Sequence, residues 1–133
     1  MSSETMPNFL KKRAFLTPDR IAVYFQNETI TFRELYEKSI ISAGQLTSIG
    51  VKRDQYIGVF LKNHIDTVVI LFALQLLGVK TVILNNRLTS KELAWQLNDS
   101  NTSILITESG FDELKQKVTI PVRTKNELFA VPT

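Results

Sequence analysis

The residues of this chain that could do chemistry are few, and most stand alone. A single histidine, His64, and the absence of cysteine among 133 residues exclude thiol catalysis, disulfides, zinc ribbons and a multi-histidine metal cluster. Serines and aspartates are present, but no G-x-S-x-G elbow exposes a nucleophile. The five glycines are scattered, so neither G-x-G-x-x-G nor G-x-x-x-x-G-K-[ST] occurs and no glycine-rich loop can cradle a phosphate. His64 falls at the start of an expected helix and reads as a solvated surface residue. Lys11-Lys12-Arg13 could meet an acidic partner, but reads first as a solvated helix face. Trp95 and the tyrosines read as packing residues and not as stacking platforms.

One segment differs. Leu84-Asn85-Asn86-Arg87-Leu88-Thr89 joins the end of an expected strand to the start of an expected helix. In open parallel sheets the carboxyl edge of the strands is where ligands bind. An arginine there carries a fixed fork of donors that suits phosphate. The residues themselves leave two readings open: Arg87 anchors its loop through hydrogen bonds to the carbonyls beside Asn85, or it reaches a ligand.

The elements that must position this segment follow from periodicity and punctuation. Residues 7–16 fit a short amphipathic helix with Pro7 near its first turn, closed by Thr17-Pro18. Residues 21–25 read as a strand that turns at Asn27-Glu28 into a second over 29–32, a hairpin. Thr31-x-x-Glu34 is a capping box, stapled by Ile30 and Leu35, for a helix that ends at Gly50. Residues 56–61 form a strand, and Asn63 caps a helix that runs to Leu77 and stops at Gly78. Its core, residues 68–74, is apolar nearly all round and needs cover on both sides. A strand at 81–84 leads to a second capping box, Thr89-x-x-Glu92, stapled by Leu88 and Leu93, with its helix reaching about Leu97. Residues 104–107 are a strand, and 109–117 a short helix with Phe111 and Leu114 inward. Residues 120–123 form a weak strand that Pro121 confines to an edge or a strand end. Thr124-x-x-Glu127 is a third capping box, read as a helix start or a short closing turn. Strands alternating with helices from residue 56 onward give an α/β class with βαβ crossovers and a mostly parallel sheet.

Composition agrees with a globular domain: 44% hydrophobic, 22% charged and 9% aromatic residues. Sixteen basic against thirteen acidic residues give +3, too scattered for a nucleic-acid footprint. The longest apolar run, 68–74, is far below the roughly 20 residues of a membrane span. Residues 1–6 lack the basic-then-apolar order of a signal peptide, which leaves a cytoplasmic expectation.

Several of these residues carry a family resemblance. Thr31-Phe32-Arg33-Glu34-Leu35 resembles the first core motif of the adenylate-forming acyl-CoA synthetase and ligase superfamily, T/S-Y/F-x-E-L. Leu76-Leu77-Gly78-Val79 through Leu84-Asn85-Asn86-Arg87-Leu88 resembles the second, and the spacing between the two is also similar. Within the superfamily, residues 7–19 and 88–97 look most like the ligases that activate 2-succinylbenzoate for menaquinone biosynthesis. The resemblance covers nearly all of residues 6–110. One departure is Asp54-Gln55, where the family usually has Gly-Asp.

The resemblance implies the amino-terminal part of the large domain of an AMP-forming carboxylate–CoA ligase: residues 1–133 as an incomplete AMP-binding domain, with no carboxy-terminal domain. Such enzymes use ATP and Mg2+ to make an acyl-adenylate, then pass the acyl group to coenzyme A. The implied partner is a small-molecule carboxylate. The motifs that hold triphosphate, magnesium and ribose, and the mobile lysine, do not occur in this stretch. It is therefore expected to be inactive alone, with no catalytic or metal-binding residue. Arg87 alone is implied in cofactor binding, as a contact to the phosphates of coenzyme A. Other readings are a ligase for a fatty or aryl acid, and a stand-alone, non-catalytic α/β interaction module.

Overall fold

The computed structural model describes residues 6–132 other than Asn86, with side chains described from Phe9 onward. Residues 1–5, read above for the lack of a signal sequence, lie outside the described residues, as does Asn86 of the second motif.

Helix α1 (Met6–Leu16) leads into a hairpin of β1 (Ile21–Phe25) and β2 (Glu28–Thr31). The turn sits one residue earlier than Asn27-Glu28, because Gln26 takes the left-handed conformation (φ 53°) and Glu28 already pairs with Phe25. Thr31 closes β2 and caps α2 (Phe32–Ser48), so Phe32 is helical and not the strand residue expected. Ile30 and Leu35 are both buried in one cluster with Leu10, Ile65 and Val69, as a hydrophobic staple requires.

The remainder is a sheet of four parallel strands, β3 (Tyr56–Val59), β4 (Lys80–Ile83), β5 (Thr102–Thr107) and β6 (Val122–Thr124), in the order β4-β3-β5-β6. The α3 helix (Ile65–Leu76) links β3 to its neighbour β4. The α4 helix (Ser90–Asp99) carries the chain past β3 to β5 on the other side. The short α5 (Asp112–Lys117) leads to the edge strand β6, which runs over Val122–Thr124 and not 120–123, so that Pro121 stands just before it; α6 (Lys125–Phe129) follows. The third capping box thus starts a helix and not a bare turn.

Alternation along the strands builds a core on each face. Ile57, Val59, Ile104 and Ile106 face α2, α3 and α6, where they meet Leu46, Ile70, Leu74 and Leu128. Leu105 faces the opposite way, toward Leu93, Ala94 and Leu97 of α4 and Leu114 of α5. Gly58 lies on this second face because α4 passes so close that a Cβ there would come within 2.7 Å of the Leu97 side chain. Helix α3 is covered on both sides as its apolar sequence required, by the sheet-side cluster and by the hairpin cluster that contains Val69 and Phe72.

Several local expectations shift: β4 runs over Lys80–Ile83 and not 81–84, and β5 starts at Thr102 and not at 104. Helix α3 begins at Ile65, and its cap is His64, not Asn63: the imidazole Nδ1 accepts the Asp66 N–H at 3.1 Å. His64 also meets the Phe25 ring edge-on, so it is a half-buried structural residue and not a solvated one. Helix α5 starts at Asp112 and not at Ser109, since Gly110 (φ 102°) turns the chain first. Strand β3 ends at Val59, although the Phe60 N–H still donates to the Ile106 carbonyl. The Asp54-Gln55 departure is absorbed locally. Asp54 adopts φ 69°, a conformation aspartate tolerates better than most residues, and donates its N–H to the Gly78 carbonyl.

Candidate functional site

All four strands run the same way, so their carboxyl ends share one edge of the sheet. The connection leaves β3 toward β4 on one side and returns past it to β5 on the other. The topological switch point therefore lies between β3 and β5, and the segment carrying Arg87 leaves the outer strand β4 instead.

At the switch point the charges are used internally. The Glu108 carboxylate, just past β5, accepts the Lys62 N–H of the β3–α3 loop. Lys125, at the start of α6, lies 3.4 Å from Asp66 Oδ2 and 4.0 Å from Glu108 Oε2. Both Lys125 and Glu108 are largely buried, at 18% and 12% side-chain exposure, so this is an internal clamp joining β5, α3 and α6. The buried Thr107 hydroxyl adds a bond to the Phe60 carbonyl at 2.9 Å, tying β5 to the end of β3. Among the described residues no group of three histidine or acidic side chains is placed to hold a metal ion.

The segment after β4 is built differently. Leu84 is buried, and its N–H donates to the Val59 carbonyl at 3.0 Å. Asn85 Oδ1 accepts the Arg87 N–H at 2.9 Å, and the Asn85 carbonyl accepts the Leu88 N–H at 3.2 Å, so the asparagine folds the turn. Thr89 then caps α4. Its Oγ1 accepts the Glu92 N–H at 3.1 Å and its own N–H donates to Glu92 Oε1 at 3.0 Å. The Thr89 N–H foremost, and the Thr89 hydroxyl after it, hold the Glu92 carboxyl below the usual carboxylate range. The turn is thus fixed by Asn85 and Thr89, with Arg87 contributing its backbone N–H. Arg87 is exposed, and among the described residues no carboxylate lies within ion-pair distance of its guanidinium. The loop-anchoring work once open to Arg87 belongs to the Asn85 side chain.

Arg87, singled out by the sequence, lies exposed after β4, while the clamp left no sequence signal because Asp66, Glu108 and Lys125 are brought together by strand order alone. Trp95, expected to pack, is 69% exposed on α4. The helical spacing held that signal: Leu93, Ala94 and Leu97 form the inward stripe and Trp95 falls off it.

Comparison with known proteins adds to this geometry. The chain is 44% identical over 109 residues to 2-succinylbenzoate–CoA ligase of Bacillus cereus (strain Q1), a match covering 82% of this chain and 23% of that protein. It spans only about a quarter of the curated relatives it matches. In structure it is similar to O-succinylbenzoate coenzyme A synthetase (MenE) of Bacillus subtilis in complex with ATP and a magnesium ion. That match has a TM-score of 0.88 and 35% identity, over 96% of this chain and 35% of the other. A double mutant of the same enzyme bound to its product analogue OSB-NCoA matches equally well, with a TM-score of 0.88 and 35% identity over 96% of this chain and 27% of the other. The family of AMP-binding enzymes matches residues 10–130, nearly the whole of the described fold, and the chain belongs to that family.

Proposed function

We propose that residues 1–133 are the amino-terminal part of the large domain of an AMP-forming carboxylate–CoA ligase, with 2-succinylbenzoate as the acid. The observation that carries this reading is the 44% identity to a 2-succinylbenzoate–CoA ligase together with the shared fold of MenE. In the parent enzyme ATP and magnesium activate the carboxylate, and coenzyme A takes the acyl group. The residues of this segment do not fit the first pair of ligands, since its sequence has no glycine-rich loop and, among the described residues, no cluster of carboxylates is placed for a metal. They do fit a phosphate of coenzyme A. Arg87 stands at a strand's carboxyl end, exposed, on a turn already fixed by other groups. Its role is to bind and orient: a guanidinium held there can pair bidentately with phosphate.

The test is a chimera in which this chain replaces the corresponding segment of the Bacillus cereus ligase. It should form the coenzyme A thioester of 2-succinylbenzoate, while the chain alone should catalyse no ATP–pyrophosphate exchange. In the chimera, Arg87→Ala should raise the KM for coenzyme A about 10- to 150-fold, the loss of one charge-assisted contact, and leave adenylate formation nearly unchanged. Equal slowing of both half-reactions would return Arg87 to a structural role. A folded chimera inactive with every acid tried would favour the interaction module.

A further inference from the structure

Helix α1 meets the fold along one side. Leu10 is fully buried with Ile30, Leu35, Ile65 and Val69, and Thr17 closes the helix by donating its N–H to the Arg13 carbonyl at 2.8 Å. At 3.6 residues per turn the opposite side presents, in order round the axis, Lys11, Phe15, Lys12, Leu16, Phe9 and Arg13. Phe15 is 83% exposed, Leu16 56% and Phe9 44%, so three large apolar side chains of one short helix face water. Among the described residues no carboxylate lies within ion-pair distance of Lys11, Lys12 or Arg13, and the acid that follows them, Asp19, is paired with Arg33 at 3.1 Å. Phe9, Lys12, Arg13 and Leu16 line a single groove, so the cations and the apolar side chains form one surface.

The combination narrows the partner. An acidic polypeptide without an apolar patch would satisfy the cations and leave the two phenylalanines and the leucine in water. An uncharged apolar surface would do the reverse. An anionic lipid surface offers phosphate and acyl carbon within one side chain's length of each other. The interleaving of cations with aromatics suits that host, because lysine and arginine stems lie along apolar material while their charged ends rise to the headgroups. We propose that the outward side of α1 docks on an anionic lipid surface, with Phe15, Leu16 and Phe9 entering between headgroups and acyl chains and Lys11, Lys12 and Arg13 pairing with lipid phosphates. So small a contact is reversible and salt-sensitive, a docking face and not an anchor. It is independent of the ligase reading.

The full chain and the folded chimera are sedimented with vesicles of phosphatidylcholine alone and of two parts phosphatidylcholine to one part phosphatidylglycerol. Both proteins should bind the mixed vesicles and not the neutral ones, and added salt should release them. Lys11→Ala with Lys12→Ala should weaken that binding roughly 30-fold and Phe15→Ala roughly 10-fold. The melting temperature should not move, since all three side chains are exposed. Insertion is read separately by moving the single tryptophan: Phe15→Trp in a Trp95→Phe background should shift its emission to the blue on the mixed vesicles. Binding that the alanine variants leave intact would overturn the proposal and mark adsorption through charge elsewhere. Equally tight binding to polyglutamate, or vesicle binding with no blue shift, would replace the lipid by an acidic protein partner. Binding by the chain but not by the chimera would show that the rest of the ligase covers α1, and no binding by either would end the proposal outright. None of these readouts passes through adenylate or thioester formation, so the ligase reading is judged apart.

Discussion

The two places on the carboxyl edge where charged side chains gather use them in opposite ways. Between β3 and β5 a lysine and two carboxylates face one another, and Glu108 also takes a backbone N–H, so the charge is consumed in holding β5, α3 and α6 together. After β4 the turn is made by an asparagine and a threonine, and the cations Arg87 and Lys91 are left pointing out. A topological rule places ligands at the switch point. The chemistry of the side chains places the available cations one strand over. The comparison teaches that a position in a sheet marks where a site can form, while the partners already taken by its charges say whether one is open.

The largest effect that could break this contrast is on stability. Glu108→Ala strips the Lys62 N–H of its acceptor and leaves Lys125 largely buried with only Asp66 beside it. The expected cost is about 1–3 kcal/mol, which for a chain of this size lowers the melting temperature by roughly 3–6 °C per kcal/mol. Arg87→Ala should stay within about 0.5 kcal/mol of the parent. Thermal melts of the two variants side by side check the contrast, and a similar loss in both would erase it.

Thr89→Ala sharpens the comparison from the other side. It removes the side-chain cap of α4 and should cost about 1 kcal/mol, as should Thr31→Ala at the start of α2. The two differ in what they loosen. Thr89 ends the turn that presents Arg87, so in the chimera its replacement should also raise the KM for coenzyme A. Thr31→Ala should alter stability with no change in that KM.

What the sequence disclosed and what it hid divide along the same line. The three capping boxes are local, set by a threonine and a glutamate three residues apart, and each forms as its spacing predicts. The strand at residues 104–107 was legible in its apolar run, and a strand at an edge or ending at Pro121 in that proline; which face Ile104, Leu105 and Ile106 each take was settled by the layers packed against them. The clamp was hidden because nothing local says that β5 lies on the far side of β3 from β4. The α3 cap was misplaced by one residue because Asn63 belongs to the usual capping types, whereas the imidazole that does the work does not.

The smallest expected effect concerns acid. Glu34, Glu92 and Glu127 have carboxyls lowered from their ordinary range, each first by the backbone N–H of its capping threonine and then by that threonine's side chain. A carboxyl that ionises more readily in the folded state stabilises the fold above its unfolded pKa, and loses that contribution as pH falls through the lower folded value. The three helix starts should therefore hold at neutral pH and weaken together from about pH 4.5 downward, with no counterpart on the alkaline side. All three glutamates are solvent-facing, so water screens them and the effect is modest. Helical circular dichroism followed from pH 6 to pH 3 should show the decline. The Glu34→Gln, Glu92→Gln and Glu127→Gln triple variant keeps an oxygen acceptor at each cap and should flatten it. A residual acid transition of the same size in that variant would show that the capping carboxylates are not its source and overturn the assignment to the three helix starts.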